Sequence, residues 1–483
     1  MPVRLSTAFA AAAVALGLAA PAHAGGPGLT VGVVEDAVRA PTVMQAKEGL
    51  MLLRLAGFDA VRLTQTWTLG EARPPAWQLA QIRNVLAAGR LMDVHVEVAV
   101  FPSGSSQTPQ TSRAQAQFAA FAARVARSTG VREMVVGNEP NLNRWWLPQF
   151  TANGGDAAAP SFLRLLARTY DALKRVDPHI VVDGVGVSPR GGDRTGGARP
   201  THSPTRFIGD LGKAYRASKR TRPVMDSFDI HPYELDSKVS PTTAHPRSTT
   251  IAIADYGKLV EALHKAFAGT KQPSSTLPIV YGEFGVETTI PRSKADLYTG
   301  TEPATTHPVS PATQGRYYRE AIALAFCQPR VRALYLLHAF DEPSRAGWQS
   351  GVYYVDQTPK PSLPIVRQAI AEARRGVLAH CPALHLTPAA TRISWPSAGT
   401  PLHLGLTCSI DCTYTARLES LASGRSVVAA RGRLTGGVNG EVALRRPSAA
   451  GPYRLLVALR APVNPGRPRL LTSRPFTLGG GGA

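Results

Sequence analysis

The feature that most constrains the fold is an alternation of short β-branched runs with longer segments of helical period between Leu29 and about Arg375. This pattern predicts parallel strands joined by helices. Eight strands are predicted, at 29–34, 60–63, 94–101, 131–137, 180–187, 227–231, 278–284 and 331–338. Examples of the intervening helices are 113–128, 161–176, 251–267 and 314–326. Eight such units close a (β/α)8 TIM barrel, which makes this an α/β chain.

An open, doubly wound sheet is the competing architecture. Such sheets usually carry a glycine-rich phosphate turn after the first strand. The segment 31–36 reads Val-Gly-Val-Val-Glu-Asp and has no such turn. The barrel is therefore favoured, and the polar residues to inspect are those at the C-terminal ends of its strands.

Beyond about Val377 the helical period disappears. Short alternating runs separated by Gly, Pro and Ser follow, at 402–406, 414–418, 426–430, 441–444, 453–460 and 476–478. They predict a small all-β sandwich domain over 382–483, including a short glycine-rich tail at 479–483 that we expect to be frayed. This segment has one tryptophan, Trp395. A glycan-binding role and a structural role for the domain both stay open.

The N-terminus has the pattern of a secretory signal peptide. A basic Arg4 precedes an apolar run over 8–20, and Ala22-His23-Ala24 matches the small-residue cleavage site. The run is shorter than the roughly 20 residues that cross a bilayer. We expect residues 1–24 to be removed, the protein to be secreted without stable membrane insertion, and the barrel domain to span 25–381.

The four cysteines predict two structural disulfides. Cys408 and Cys412 enclose three residues, a spacing suited to a small loop staple, which leaves Cys327 to pair with Cys381. Export favours disulfide formation. Neither pair has a histidine at ligand spacing, so no metal is predicted.

The chain is strongly basic, with 54 Lys and Arg against 33 Asp and Glu and a formal charge of +21. Such a charge attracts anionic glycans, cell-wall polymers or nucleic acid. A merely solvated basic surface explains it equally well. Nucleic-acid binding is not predicted, because no helix-turn-helix, RNA-binding or zinc-finger signature accompanies the charge.

Two glutamates stand at strand ends where chemistry is expected. Glu139 follows strand four in the segment Val-Val-Gly-Asn-Glu-Pro-Asn at 135–141, and Glu283 ends strand seven in Ile-Val-Tyr-Gly-Glu-Phe-Gly at 279–285. A charge within an apolar run is costly unless it is paired or used. Strands four and seven lie on opposite sides of a barrel, so the two carboxyl groups can face each other across a sugar ring.

These segments resemble the acid/base and nucleophile motifs of clan A glycoside hydrolases, especially the cellulase-like families 5 and 39. The Asn-Glu-Pro at 138–140 and the Gly-Glu-Phe-Gly at 282–285 carry the resemblance, together with residues 57–63, which include Arg62, and the His-Pro-Tyr at 231–233. The resemblance spans 29–375 in order and spacing. It is strong for the clan and weak for any one family.

The resemblance implies a role for each matched residue. Glu139 is the general acid and later base, and Glu283 is the nucleophile. Arg62 and Tyr233 are implied to keep Glu283 ionised and aimed, because a nearby cation and a hydrogen bond both favour the charged form. Two further residues are implied to bind substrate or order the site, namely Asn138 at the sugar 2-hydroxyl and His231.

The chain departs from the family pattern in two places. After strand three it reads Glu97-Val98-Ala99-Val100-Phe101-Pro102 where many members have histidines, and after strand eight it reads Leu337-His338-Ala339-Phe340-Asp341-Glu342 where many have a stacking tryptophan. Both departures fall where the sugar before the cleavage point would bind. They therefore bear on substrate identity.

Trp67, Trp145, Trp146 and Trp348 lie in predicted loops near the barrel mouth, where an indole ring can stack on a sugar. Loop packing is the alternative for each of them. Likewise Arg62 could close a buried ion pair, His231 could be a core histidine, and the two glutamates could be structural.

The combined prediction is a secreted, retaining glycosidase acting on a β-linked poly- or oligosaccharide, acidic ones included, without metal or organic cofactor. The alternatives are a non-catalytic glycan or cell-wall binding protein on a barrel scaffold, and a transglycosylase.

Overall fold

The computed structural model describes residues 25–381 and, beyond them, 384, 386, 388–394, 402–436, 440–461, 463 and 468–478. The predicted signal peptide, Trp395 and the glycine-rich tail lie outside the described residues. Within the described part of the chain, no helix is both long and apolar enough to traverse a bilayer.

Eight parallel strands form a closed barrel in which each strand pairs with the next and β8 pairs with β1. They are β1 (Thr30–Val34), β2 (Ala60–Trp67), β3 (His95–Pro102), β4 (Glu133–Val136), β5 (Val181–Val187), β6 (Ser227–Ile230), β7 (Ile279–Phe284) and β8 (Val331–Leu337). The predicted barrel is confirmed. The largest difference is in β2, which continues past the predicted end at Leu63 because Thr64–Trp67 stay paired with Ala99–Pro102 of β3.

Eight helices surround the barrel. They are α1 (Val43–Ala56), α2 (Ala76–Met92), α3 (Ser112–Thr129), α4 (Ala158–Val176), α5 (Pro204–Ala217), α6 (Tyr256–Phe267), α7 (Pro311–Phe326) and α8 (Ser362–Arg374). Local sequence explains their ends: the Thr111 hydroxyl accepts the Ala114 N–H at the start of α3, and Gly130 ends it in a left-handed conformation. The buried Phe118 and Phe121 of α3 join the barrel core.

The C-terminal part is built of antiparallel sheets, as predicted for a sandwich. Its strands are β9 (Pro388–Ser394), β10 (Leu402–Cys408), β11 (Cys412–Ser420), β12 (Ser426–Leu434), β13 (Gly440–Leu444), β14 (Gly451–Arg460), β15 (Arg469–Thr472) and β16 (Phe476–Leu478). One sheet has the order β13-β10-β9, and the other has β12-β11-β14-β15 with β16 on β14. The sequence pattern missed β9 and β15. The boundary between 381 and 382 stays a prediction.

Both predicted disulfides are present. Cys327, directly after α7, bonds to Cys381 beyond α8, and Cys408 bonds to Cys412 across the turn between β10 and β11. The first bond joins segments 54 residues apart in sequence. It therefore ties the end of the barrel to one of its last helices.

Candidate active site

Glu139 is positioned by a tight turn at the end of β4. A side chain on Gly137 would place its Cβ 2.5 Å from the Val185 carbonyl oxygen and 2.6 Å from the Phe162 ring, so this position requires glycine. Glu139 itself has a φ of 42°, and its N–H donates to the Gly186 carbonyl at 2.7 Å. A left-handed non-glycine residue costs about 1–3 kcal/mol and persists where the surroundings hold it.

Glu283 is positioned by the floor beneath β7. A Cβ atom on Gly282 would collide with the carboxylate of Asp229 and the guanidinium of Arg62. Glycine at this position therefore lets the buried ion pair sit directly beside the strand that carries Glu283. This explains the glycine before the glutamate in the motif.

The two glutamates converge on one imidazole nitrogen. Nδ1 of His231 lies 3.3 Å from Oε1 of Glu139 and 3.5 Å from Oε2 of Glu283. Because both distances share this atom, the two carboxylate oxygens cannot be further apart than about 7 Å, within the range over which glycosidase carboxyl pairs operate. The residues come from β4, β6 and β7, so the fold brings together what lies far apart in sequence.

Three neighbouring carboxyl groups favour the protonated form of His231. Burial lowers its pKa, but Glu283, Glu139 and Asp229 outweigh burial and raise the pKa of His231 to about 9. Nε2 lies 3.7 Å from the buried Asp229 carboxylate. One positive charge thus offsets the repulsion between two carboxylates that would otherwise face each other unpaired.

The raised pKa of His231 predicts how the free energy of unfolding depends on pH. The folded-state pKa of His231 is raised from its usual 6.5 to about 9, so the stabilisation is complete below the usual value and is lost as pH rises through 9. We expect the difference in free energy of unfolding between wild type and His231→Gln to narrow by up to about 3 kcal/mol between about pH 6 and pH 10. Urea unfolding at several pH values measures it. A difference that stays constant would contradict a protonated His231.

Tyr233 holds the other side of Glu283. Its hydroxyl donates to Oε2 of Glu283 at 3.0 Å, and its ring stacks on Trp348 with centroids 5.3 Å apart and planes inclined by 28°. The ring contact and the hydrogen bond together place the hydroxyl beside the carboxylate.

We expect Tyr233→Phe to lower kcat for an aryl glycoside by about 10- to 100-fold, because a hydrogen bond to a charged group contributes about 1.5–3 kcal/mol. Steady-state kinetics measures the loss. Tyr317→Phe is the matched control, since that hydroxyl bonds to the Lys238 carbonyl outside the site. Equal activities of Tyr233→Phe and the control would remove Tyr233 from its role.

The other predicted substrate-binding residues surround the glutamates. The indole N–H of Trp145 donates to Oε2 of Glu139 at 3.2 Å, and both Trp145 and Trp348 are half-buried rather than enclosed. Asn138 is also half-buried, next to Glu139 in the chain. Their contacts with a sugar stay predictions.

For Arg62 the structure shows the alternative considered above, a buried ion pair, and its role toward Glu283 stays a prediction. The guanidinium is buried and forms ion pairs with Glu97 and with Asp229, at 2.6 Å from the latter, instead of with Glu283. Arg62 therefore supports the floor under β7 and acts on the site through Asp229 and His231. Glu97, the first residue of the segment that departs from the family pattern after strand three, is fully buried in the same ion pair.

The predicted stacking role of Trp67 is wrong. Because β2 runs four residues further than predicted, Trp67 is its last residue, and it is fully buried. Its indole N–H donates to the Glu71 carbonyl at 2.8 Å, and its ring packs edge-on against Phe118. Trp146 is likewise buried, with its ring edge-on to Phe162. Neither ring can reach a sugar.

Sequence reasoning assigned no role of their own to three polar residues near the strand ends. Arg190 follows β5 and donates to the carbonyl oxygens of Tyr233 and Glu234. Glu234 is buried, and burial together with Asp255 raises its pKa to about 8. His338, after β8, contacts the Val34 carbonyl through Nδ1 at 2.6 Å. Their positions just after the C-terminal ends of strands were the sequence signal that could have identified them as site candidates.

One group among the described residues has metal-ligand spacing, formed by His95, Glu97 and Glu133. Glu133 accepts a hydrogen bond from Arg332, and Glu97 accepts one from Arg62. Each carboxylate is thus already paired with a guanidinium group, which would repel a cation. The group lies at the opening strand residues, away from Glu139 and Glu283, and does not support a metal centre.

A closed parallel barrel with glutamates at the ends of β4 and β7 is the arrangement that the resemblance to clan A glycoside hydrolases implies. No protein-family model and no curated protein sequence matches the chain. Among solved structures it is similar to a glucosidase from Croceicoccus marinus, at 10% identity and a TM-score of 0.49, with 88% of this chain and 94% of that chain covered.

Two other solved structures are similar to a comparable degree. An exo-beta-1,4-mannosidase from Opitutaceae bacterium strain TAV5 has 16% identity and a TM-score of 0.45, with 72% of this chain and 60% of that chain covered. A calcium-binding mutant of Bacteroides uniformis beta-glucuronidase 2 has 11% identity and a TM-score of 0.43, and 93% of this chain spans 45% of that longer one. Structural similarity at this level does not assign an activity to this protein. Its fold is established by the strand order of the chain itself.

Proposed function

We propose that this protein is a secreted, retaining glycoside hydrolase that cleaves a β-linked glycan by double displacement. The observation that carries the proposal is the position of His231 Nδ1, 3.3 Å from Glu139 and 3.5 Å from Glu283. Retaining enzymes hold their carboxyl groups about 5–5.5 Å apart and inverting enzymes about 6.5–9.5 Å. The upper bound of about 7 Å on the oxygen separation admits the first spacing and only the short end of the second.

In the first step Glu139 donates its proton to the glycosidic oxygen while Glu283 attacks the anomeric carbon. The glycosidic bond breaks, the leaving sugar departs as an alcohol, and an ester forms on Glu283. In the second step Glu139 takes a proton from water, which attacks the same carbon and releases Glu283. His231 contacts the carboxyl group of Glu139 and the Tyr233 hydroxyl donates to that of Glu283, so both groups are held at the site.

Substrate class and location belong to the same proposal. The β-linkage follows from the resemblance to families 5 and 39, and secretion from the N-terminal pattern at 1–24. The half-buried Trp145 and Trp348 beside the glutamates suit a sugar, because pyranose faces pack on indole rings.

The proposal is tested by following hydrolysis of a panel of aryl β-glycosides by proton NMR. A substrate that is turned over should release the β-anomer first, with the α-anomer appearing only as the sugar mutarotates. An α-anomer released first would contradict retention.

A further inference from the structure

The outer, helical side of the barrel carries a groove that is separate from the strand ends bearing Glu139 and Glu283. We call it the basic groove and define it as three adjoining depressions along α4, α5 and the segment after α6. The largest, about 900 Å³ in volume, lies between α4 and α5 and is lined by Arg164, Arg206 and Lys213.

The three depressions form one continuous path. The second shares Leu163, Arg164 and Ser218 with the first and adds Lys219, Arg220 and Arg222. The third shares Lys219 and Arg220 with the second and adds Arg216 and Lys271. The path therefore follows α5 for its whole length of 14 residues, about 21 Å.

Positive groups outnumber negative groups in the lining. Eight Lys and Arg side chains line the basic groove, against the two carboxylates of Asp156 and Asp210. Asp210 pairs with Lys213 at 2.7 Å, and Asp171 beside the groove pairs with Arg220 at 2.6 Å. Asp210 also contacts Arg206 and Asp171 also contacts Arg222, so four of the eight cations lie in ion pairs and the other four have none with the described residues.

Three of the cations are entirely available. Arg164, Lys219 and Lys271 are exposed and form no ion pair with any residue that the structure describes. Like charges held along one groove repel each other, and an anion bound there relieves the repulsion.

The ends of the groove indicate the shape of its ligand. Asp156 and Gly155, at one end, belong to the loop between Glu139 and α4, on the face where the strands terminate. Lys271, at the other end, precedes β7 and lies toward the opposite face of the barrel. An elongated polyanion fits this path better than a compact anion.

We propose that the basic groove binds an acidic polysaccharide as a linear chain, outside the catalytic cleft. The choice of a glycan over other polyanions rests on the proposed function. It is supported by the lining, because single-stranded nucleic acid sites combine cations with aromatic rings on which bases stack. The one aromatic residue of the lining is Tyr215, which is buried with its hydroxyl bonded to the Arg222 carbonyl.

The test compares two triple variants of the full chain that each remove three charges. Arg164→Gln/Lys219→Gln/Lys271→Gln changes the groove, and Arg90→Gln/Arg113→Gln/Arg127→Gln changes exposed arginines of α2 and α3. Binding of a fluorescent heparin fragment is followed by anisotropy over a range of salt concentrations. The groove variant should lose at least tenfold in affinity, and its slope of log K against log salt should become shallower by about two. The control should stay within about twofold of wild type.

Equal losses in the two variants would overturn the inference, because net charge alone would then explain binding. It is also overturned if single-stranded DNA of matched charge binds more tightly than heparin and depends on the same three cations. Turnover of a small aryl glycoside is measured in parallel and should be unchanged in the groove variant. If the aryl glycoside is turned over but heparin binding does not depend on the groove, only the groove inference is contradicted. If heparin binds in the groove but no aryl glycoside is turned over, only the glycosidase proposal is contradicted.

Discussion

Glu283→Gln is expected to lower kcat/KM for an aryl glycoside by at least about 10⁴-fold. The amide has nearly the same shape as the carboxylate but is a poor nucleophile, so the ester on the enzyme cannot form. The Tyr233 hydroxyl can still donate to the amide oxygen, so the fold should be retained. Initial rates measure the activity, and thermal unfolding checks the fold.

Glu261→Gln is the matched control for this change. Glu261 is an exposed glutamate of α6 whose carboxylate pairs with Lys265 one turn away. Solvent screens an exposed pair of this kind, so activity and stability should both stay near wild type. Near-normal turnover by Glu283→Gln would exclude Glu283 as the nucleophile.

Glu139→Ala is expected to lower kcat/KM by about 10²- to 10⁴-fold for substrates whose leaving group needs a proton. Substrates with activated aryl leaving groups should lose less in the first step, because they depart without protonation. Removing the carboxylate also leaves the Trp145 indole N–H without its acceptor and opens a small space beside the anomeric carbon.

Azide should restore part of the lost activity. This small anion can occupy the vacated space and attack the glycosyl ester without help from a general base. The expected product is a β-glycosyl azide, identified by NMR. An α-azide, or an activity that azide leaves unchanged, would contradict the assignment of Glu139 as acid and base on the retaining pathway.

The barrel could be predicted because each of its units carries its own local signal. Runs such as Val-Val-Asp-Gly-Val-Gly-Val at 181–187 are buried on both sides and read as strands, and helix starts such as Thr111 and Ser310 carry their own caps. Strand ends carry a weaker signal. The end of β2 depends on its pairing with β3, so Thr64–Trp67 looked like a loop when considered without their partner strand.

The candidate site was predictable where a residue stands in a strand-end motif, as Glu139, Glu283, His231 and Tyr233 do. It was not predictable where a role depends on distance between side chains. Arg62 lies on β2, as the resemblance implied, but its guanidinium forms ion pairs with Glu97 and Asp229 and not with Glu283. The contact of one His231 nitrogen with both glutamates likewise depends on the folded positions of residues that are far apart in sequence.

The central claim is that Glu283 bonds covalently to the sugar while Glu139 lies across from it. A 2-deoxy-2-fluoro glycoside tests it most directly, because fluorine slows the breakdown of the ester more than its formation when the leaving group is activated. Mass spectrometry of the digested protein should find the fluorosugar on Glu283. The test uses the fluoro analogue of a sugar that the enzyme hydrolyses. Labelling of a residue other than Glu283 would contradict the claim. Hydrolysis of the analogue with inversion, without any labelling of the protein, would contradict it as well.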